Sequence, residues 1–371
     1  MLRKGRLAWL MALLAVVGLV VAACGDDNKS SDASKDSSTT TTTAKGPSAP
    51  SDSTIKGLTG KIAGGGSSFV DAFAQAVNTD FNGIAGQELV TYAKSGSSDG
   101  RKQLANKTLD FAGTDSTAKP EETFTGGPIL YFPSVAAPIT VSYNLSGVDK
   151  LRLSAETIGK IFSAQITTWN DAAIKADNPG ATLPSTPIVV VHRSDGSGTT
   201  SNFTKYMTAA APSAWTLGSG DTVNWPASTQ GAEKNSGVAN VIKQTAGAVG
   251  YVDLADAIKA DLTFASIKNS SGNYVAPTAE ATTSAVENAK VNPDLTYNPL
   301  NASGAESYPI TSPTYFLVYQ NQTDPAKAAT LKTWLQYVLT TGQAQAQKLG
   351  YVALPASLQQ QAYDQIEKIS G

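Results

Sequence analysis

The sequence predicts an α/β protein from about residue 58 onward, and three observations predict it. Short apolar strands alternate with amphipathic helical stretches from Leu58 to the C-terminus. A strand, a Gly/Ser/Thr loop and a helix follow one another three times, at 64–69, 95–101 and 193–200. With 41% hydrophobic and 16% charged residues over 371 positions, the chain can build about two domains with real cores. The same composition excludes a collagenous, coiled-coil or wholly disordered protein.

Taken in order, Lys61-Ile62-Ala63 reads as a strand leading into the loop Gly64–Ser68. Phe69, Phe73, Val77 and Phe81 then recur every fourth residue, which marks one face of a helix. Leu89–Tyr92 is a strand, Ser95–Gly100 a loop, and a polar helix follows near Arg101–Asn106. Leu109–Gly113 is a strand that runs into Thr114-Asp115-Ser116. Tyr131–Tyr143 is a long β-rich stretch interrupted by prolines. Ile188–Val191 is a buried strand ending in His192-Arg193-Ser194-Asp195-Gly196-Ser197-Gly198-Thr199-Thr200, before a helix carrying Phe203 and Met207. Ala248–Val252 and Tyr315–Tyr319 are further strands. Leu331, Trp334, Leu335, Val338 and Leu339 line a C-terminal amphipathic helix.

The N-terminus stands apart from this fold. Arg3, Lys4 and Arg6 precede an apolar run from Leu7 to Val21, which ends in Val21-Ala22-Ala23-Cys24. This resembles a bacterial lipobox, and the resemblance implies a signal peptide over 1–23, cleavage before Cys24 and lipidation of its sulfur. An uncleaved anchor is the alternative, although the run is short for a span of about 20 residues. Fourteen of the thirty residues 25–54 are Ser or Thr, and none is Leu, Ile, Val, Met or aromatic. Such a segment cannot offset its ordering entropy by burial. Residues 24–57 therefore read as a lipidated, disordered tether reaching roughly 30 Å.

Charge narrows the partners. The chain has 28 Lys+Arg and 30 Asp+Glu. Loss of Arg3, Lys4 and Arg6 leaves 25 against 30, a net charge of −5. This argues against nucleic acid as a partner, because that wants a basic footprint. One Cys and one His exclude a disulfide framework and leave almost nothing for a zinc or copper site, so no metal and no cofactor is expected. Each of the three Gly/Ser/Thr loops places hydroxyl residues at a helix N-terminus. There the backbone N–H groups have no intrahelical partner and the dipole is positive. A single loop of this kind is ordinarily a cap. Three in one chain, one of them carrying an arginine, point to an anion.

The string Arg193-Ser194-Asp195-Gly196-Ser197-Gly198-Thr199 is similar to the phosphate-binding protein of the bacterial high-affinity phosphate ABC importer. Gly64–Phe69, Ser95–Gly100, Leu109–Asp115, Ile158–Phe162, Thr168–Asp171, Asn235–Val238, Gly247–Tyr251 and Tyr308–Thr311 agree in order. The similarity covers roughly 58–365. It implies a two-lobed periplasmic-binding-protein fold of type II with the ligand in the interlobe cleft. Lobe one would comprise 58–140 plus 308–371, and lobe two 141–307. The resemblance implies that Ser68, Phe69, Ser97, Asp115, Arg193, Ser197, Gly198 and Thr199 contact phosphate. Asp195 would hold Arg193 in place. The partners implied are inorganic phosphate and the permease subunits, with the protein a monomer anchored by lipid to the outer face of the cell membrane. The sequence departs from the family pattern at Ser68, where Thr is common, at Asp99, where Gly is common, and at Thr200-Ser201, where Ser-Phe is usual. An acidic Asp99 beside an anion repels it unless it faces solvent or caps the helix.

These residue types suit the task. An anion is buried only when nearly every lone pair is satisfied. The Arg193 fork matches two phosphate oxygens. An ionised Asp115 only accepts hydrogen bonds, so it tolerates the hydrogen of a P–OH and opposes fully deprotonated sulfate. Two other classes compete. One is a binding protein for another oxyanion, such as sulfate, molybdate or a phosphonate. The other is a serine hydrolase. Gly96-Ser97-Ser98-Asp99-Gly100 fits G-x-S-x-G, and Ser98 would need His192, the chain's one histidine, as its base.

Overall fold

A computed structural model of the chain describes residues 46–371. The signal, Cys24 and most of the tether therefore lie outside the described residues. Helix α1 (Asp52–Lys56) precedes β1 (Ile62–Gly66), α2 (Asp71–Ala85), β2 (Val90–Lys94), α3 (Ser97–Ala105) and β3 (Phe111–Thr114). Next come the long strand β4 (Ile129–Tyr143), β5 (Arg152–Leu153), α4 (Ala155–Phe162), α5 (Ala172–Asp177), β6 (Val189–Arg193) and α6 (Gly198–Ala210). The chain continues with β7 (Gln230–Ala232), α7 (Lys234–Gln244), β8 (Ala248–Asp253), α8 (Leu254–Lys259), β9 (Thr263–Phe264), β10 (Ser266–Lys268) and β11 (Tyr274–Val275). It closes with α9 (Ala279–Glu287), β12 (Thr311–Tyr319), α10 (Pro325–Leu339), α11 (Gln343–Ala346) and α12 (Ala356–Gln365).

One nine-stranded sheet runs β2-β1-β3-β12-β4-β8-β6-β7, with β9 added beside β4, and a small sheet joins β11, β10 and β5. Strand β4 ties the large sheet together. Its residues 129–138 pair antiparallel with β12, and residues 139–143 change partner to β8. The prolines at 133 and 138 do not end the strand; an extra residue in β4, Ser134, shifts the register opposite Thr314/Tyr315 and absorbs the irregularity. On one side of this exchange β1, β2 and β3 are parallel; on the other β6 is parallel to β7 and β8. The carboxyl ends of parallel strands are where α/β sheets bind ligands. Here they deliver Gly66, Lys94, Thr114 and Arg193.

Two local readings change. The glycine run Gly64–Gly66 is strand rather than loop, paired with β2 and β3, and a side chain at Gly64 would strike the Phe111 ring at 2.1 Å. Helix α3 begins at Ser97, four residues before the expected start, so Ser97–Gly100 form its first turn. A Cβ at Gly100 would lie 2.5 Å from Gly66 Cα, so a glycine there lets this turn press on β1.

The tether also ends earlier than residue 57. Ser51 Oγ accepts the Thr54 N–H and starts α1, and Ile55 is fully buried. Tyr363 Oη donates to Ser48 O at 3.2 Å. One buried isoleucine contributes about 1.5–3 kcal/mol toward docking a single turn that the Ser-rich composition hides.

The helical face of α2 behaves as its period requires: Phe73, Val77 and Phe81 are fully buried. Phe69 is buried too, two residues ahead of the helix. Its carbonyl accepts Tyr351 Oη at 2.6 Å, and the Tyr351 ring meets Phe69 and Phe73 edge-on. The C-terminal segment thus braces the loop before α2 from behind. No helix among the described residues is long and apolar enough to cross a membrane.

Candidate anion site between the two halves of the sheet

Four chain segments meet at the carboxyl ends of these strands. From β1 come Ser67, Ser68 and Phe69; from the start of α3, Ser97; from the end of β3, Asp115. From β6 and the start of α6 come Arg193, Asp195 and Ser197–Thr199. The halves touch closely. A Cβ at Gly198 would lie 2.6 Å from Ser97 Oγ and 2.8 Å from Asp115 Cβ. The Ser98 N–H donates to Gly196 O at 3.3 Å, and the Asn235 N–H donates to Ser68 Oγ at 3.2 Å.

Asp115 is 2% exposed. Burial pushes its carboxyl up to about 6, against the lowering effect of Ser67, Arg193 and Ser97. Ser67 Oγ reaches both of its oxygens at 2.7 Å, and Ser97 Oγ donates to Oδ2 at 3.3 Å. Ser67 was not singled out in the sequence; nothing in adjacent serines says which one turns inward. In this arrangement the Phe69 N–H donates to Ser67 Oγ at 3.0 Å.

Arg193 is held on two edges. Nε donates to Asp195 Oδ1 at 2.7 Å and Nη2 donates to Asp195 Oδ2. Nη1 donates to Asn235 Oδ1 at 3.0 Å. A guanidinium has five N–H donors, so these three bonds leave donors on both terminal nitrogens. Burial opposes ionisation of Asp195, but Arg193 and the Lys234 N–H outweigh it and the net shift is downward. Asp195 therefore partly neutralises the arginine.

Helix α6 supplies the dipole. Ser197 Oγ caps it by accepting the Thr200 N–H at 3.1 Å. The Gly198 and Thr199 N–H groups lie in its first turn, where helical geometry provides no internal partner. Thr199 Oγ1 accepts from Asn235 Nδ2 at 3.2 Å. One turn on, Asn202 Nδ2 donates to Asp115 O at 2.6 Å and to Ser312 Oγ at 2.9 Å. Asn235 and Asn202 also escaped the sequence reading. Asn202 sits four residues after Gly198 on the same helical face, which is a usable signal; Asn235 lay only within a landmark string.

The hydrolase geometry is not formed. Ser98 Oγ donates to Asp221 Oδ2 at 2.8 Å. His192 instead stacks on Trp225 at 4.6 Å between ring centroids, with Nδ1 against Arg193 O at 2.9 Å. Burial lowers its affinity for a proton. The reason is topological: His192, next to last in β6, has its ring on the Trp225 side, while Ser98 sits in the first turn of α3 facing the Asp221 segment. Asp99 is exposed and accepts from Gln103 Nε2 at 2.5 Å, so its charge is turned along α3 toward solvent. Among the described residues no group of three or more His, Cys, Asp or Glu could hold a metal.

Residues 34–341 match the family model of the PBP superfamily domain. The phosphate-binding protein PstS of Xylella fastidiosa is 34% identical over 324 residues, covering 86% of this chain and 87% of that protein. The chain belongs to the PstS family of phosphate-binding proteins. Among solved structures, a high-affinity periplasmic phosphate-binding protein bound with phosphate shares the fold at TM-score 0.67. It is 24% identical and covers 81% of this chain and 92% of its own. A phosphate ABC transporter substrate-binding protein from Clostridium perfringens, described as putative and holding phosphate, aligns at TM-score 0.59. That match is 17% identical, covering 80% of this chain and all of that one. The fold is thus the type II periplasmic-binding-protein fold expected of the PstS family.

Proposed function

We propose that the chain captures inorganic phosphate outside the cell and delivers it to the membrane subunits of an ABC importer, with no chemistry on the ligand. One observation carries the reading. A buried carboxylate from one half, Asp115, faces an arginine and a helix N-terminus from the other. The donors suit oxygen atoms that carry charge, and the single acceptor suits one that carries a proton. Ser68, Phe69, Ser97, Ser197, Gly198 and Thr199 are the proposed donors, Gly198 and Phe69 through the backbone N–H alone. In this geometry the Phe69 N–H donates to Ser67 Oγ and the Ser97 hydroxyl to Asp115, and a ligand oxygen would take the place of those acceptors. Phosphate near neutral pH presents both kinds of oxygen; sulfate presents only the first. Molybdate fails in the same way, whereas arsenate carries a proton and shares the chemistry.

Lobe one is proposed as 58–140 plus 308–371 and lobe two as 141–307. The exchange of β4 partners between Pro138 and Ile139 supports the first crossing, and the start of β12 at Thr311 supports the second. A ligand bonded to both lobes favours the closed form that a permease reads. Cys24 is the proposed lipid attachment point on the outer face of the membrane, and the protein acts there as a monomer.

Equilibrium dialysis with labelled phosphate, challenged by unlabelled sulfate, tests the binding. Retention of label against excess sulfate supports it, and displacement by sulfate refutes it. An ester-hydrolysis assay of wild type and Ser98→Ala tests the absence of chemistry; turnover lost with the serine would overturn that part.

A further inference from the structure

Arg101 is a fully buried charge outside the phosphate contacts named above. It lies on α3, one turn beyond Ser97. Its Nε and Nη2 donate to Glu122 at 2.8 and 3.0 Å, and Nη1 donates to Thr114 Oγ1 at 2.9 Å and Ser116 Oγ at 2.8 Å. All three partners belong to the half that contains α3. The remaining bond, from Nη2 to Asp221 Oδ2 at 2.6 Å, crosses to the other half, in the segment between α6 and β7.

Asp221 collects three donors across the divide: Arg101, Ser98 Oγ at 2.8 Å and Ser116 Oγ at 2.9 Å. Its main-chain carbonyl accepts the Ser197 N–H at 3.0 Å. Each neighbour adjoins the phosphate site. Ser98 follows Ser97, Ser116 follows Asp115, and Ser197 caps α6.

We propose that Asp221 latches the two halves shut around the ligand, a positioning residue that sets phosphate affinity and residence time without touching phosphate. This rests on the reading that phosphate lies between the halves. Opening separates Asp221 from all three donors, yet Arg101 keeps Glu122, Thr114 and Ser116. The buried cation is therefore never left without a counter-charge, which is the costly failure of buried ion pairs. Asp221 returns to water. Burial raises the cost of its charge in the closed form, and Arg101, Ser98 and Ser116 more than offset it. Apparent affinity scales with the population of the competent closed state. A contact that favours closure strengthens every ligand of the site equally. It leaves the choice among oxyanions to Asp115.

The test compares wild type, Asp221→Asn and Ser98→Ala by calorimetry, stopped-flow release and ligand-free melting. Asp221→Asn should weaken phosphate binding about tenfold or more, equal to about 1.4 kcal/mol per decade, mostly through faster release. Its preference for phosphate over sulfate and its ligand-free melting temperature should match wild type. Ser98→Ala, which removes one neutral donor, should move affinity in the same direction by a few-fold. Unchanged phosphate affinity in Asp221→Asn overturns the latch. So does an equal loss of melting temperature with and without phosphate, which marks a purely structural role. If wild type itself fails to bind phosphate in this assay, the site reading fails and the latch falls with it; if wild type binds and both variants bind equally, the latch alone fails.

Discussion

Replacing Asp115 by Asn exchanges an acceptor for a group that also donates, at nearly constant volume. In the closed site the carboxylate has Ser67 Oγ on both oxygens at 2.7 Å and Ser97 Oγ at 3.3 Å. What lone-pair capacity remains is free to accept one more proton, from P–OH. Sulfate offers none, and with Asp115 only 2% exposed no water relieves the clash of acceptors. Sites built on one such bond reject the analogue lacking it by about 10⁴–10⁵, or about 5.6–7 kcal/mol. In Asp115→Asn this ratio should fall to about tenfold or less, because the amide N–H now serves a bare sulfate oxygen. The pH profile supplies an internal control. The carboxyl titrates at about 6 in the fold against 3.8 in the open chain. Because this acid's value is raised, the folded form holds the extra proton across that window and the fold loses stability as pH rises through it. Above pH 7 Asp115 is an acceptor; below about 6 it gains a hydrogen and can donate. Wild-type sulfate binding should therefore grow as pH falls from about 7 to 5, while that of Asp115→Asn stays flat. Calorimetric titration with each anion across that range is the assay. A variant that excludes sulfate as wild type does, or a wild type with no pH response, refutes the assignment.

Three further outcomes are expected. Gly198→Ala should obstruct closure, since its Cβ would lie 2.6 Å from Ser97 Oγ; phosphate binding should fall about tenfold or more in calorimetry, with ligand-free melting nearly unchanged. Ser67→Ala removes the shortest bonds to Asp115, so the carboxyl should titrate above its present value of about 6, and the pH midpoint for excluding sulfate should move upward in the same titration. Arg193→Lys keeps the charge but loses the paired bonds to Asp195 and the bond to Asn235; phosphate affinity should drop by about two orders of magnitude, and a drop under threefold by dialysis contradicts the fork.

Much of this architecture was visible as local pattern. The period of Phe73, Val77 and Phe81 defines α2, and the apolar run 248–252 defines β8, because burial of one face imposes its spacing on the sequence. Of the three hydroxyl-rich loops only the one before α6 caps its helix through a side chain, Ser197; α2 starts after Val70 and α3 after Gly96 without such a cap. Boundaries were less visible: Gly64–Gly66 looks like a loop until Phe111 is seen packed over it. The least legible features depend on residues far apart in the chain. Arg101 and Asp221 are 120 positions apart and meet only through the tertiary fold. Ser67 and Ser68 are chemically identical neighbours, and only the backbone course decides that Ser67 turns to Asp115 while Ser68 meets the Asn235 N–H. Composition hid α1 as well, since one isoleucine in a Ser-rich stretch carries its docking.

The central claim is that a carboxylate buried between the halves reads the proton of its ligand while an arginine and a helix start hold the charge. Calorimetry of the wild-type protein at about pH 8, with sulfate in large excess before phosphate is added, tests it most directly. The account predicts no heat from sulfate and then an undiminished one-to-one phosphate isotherm. A sulfate isotherm of comparable affinity, or a phosphate titration without heat or retention, contradicts it.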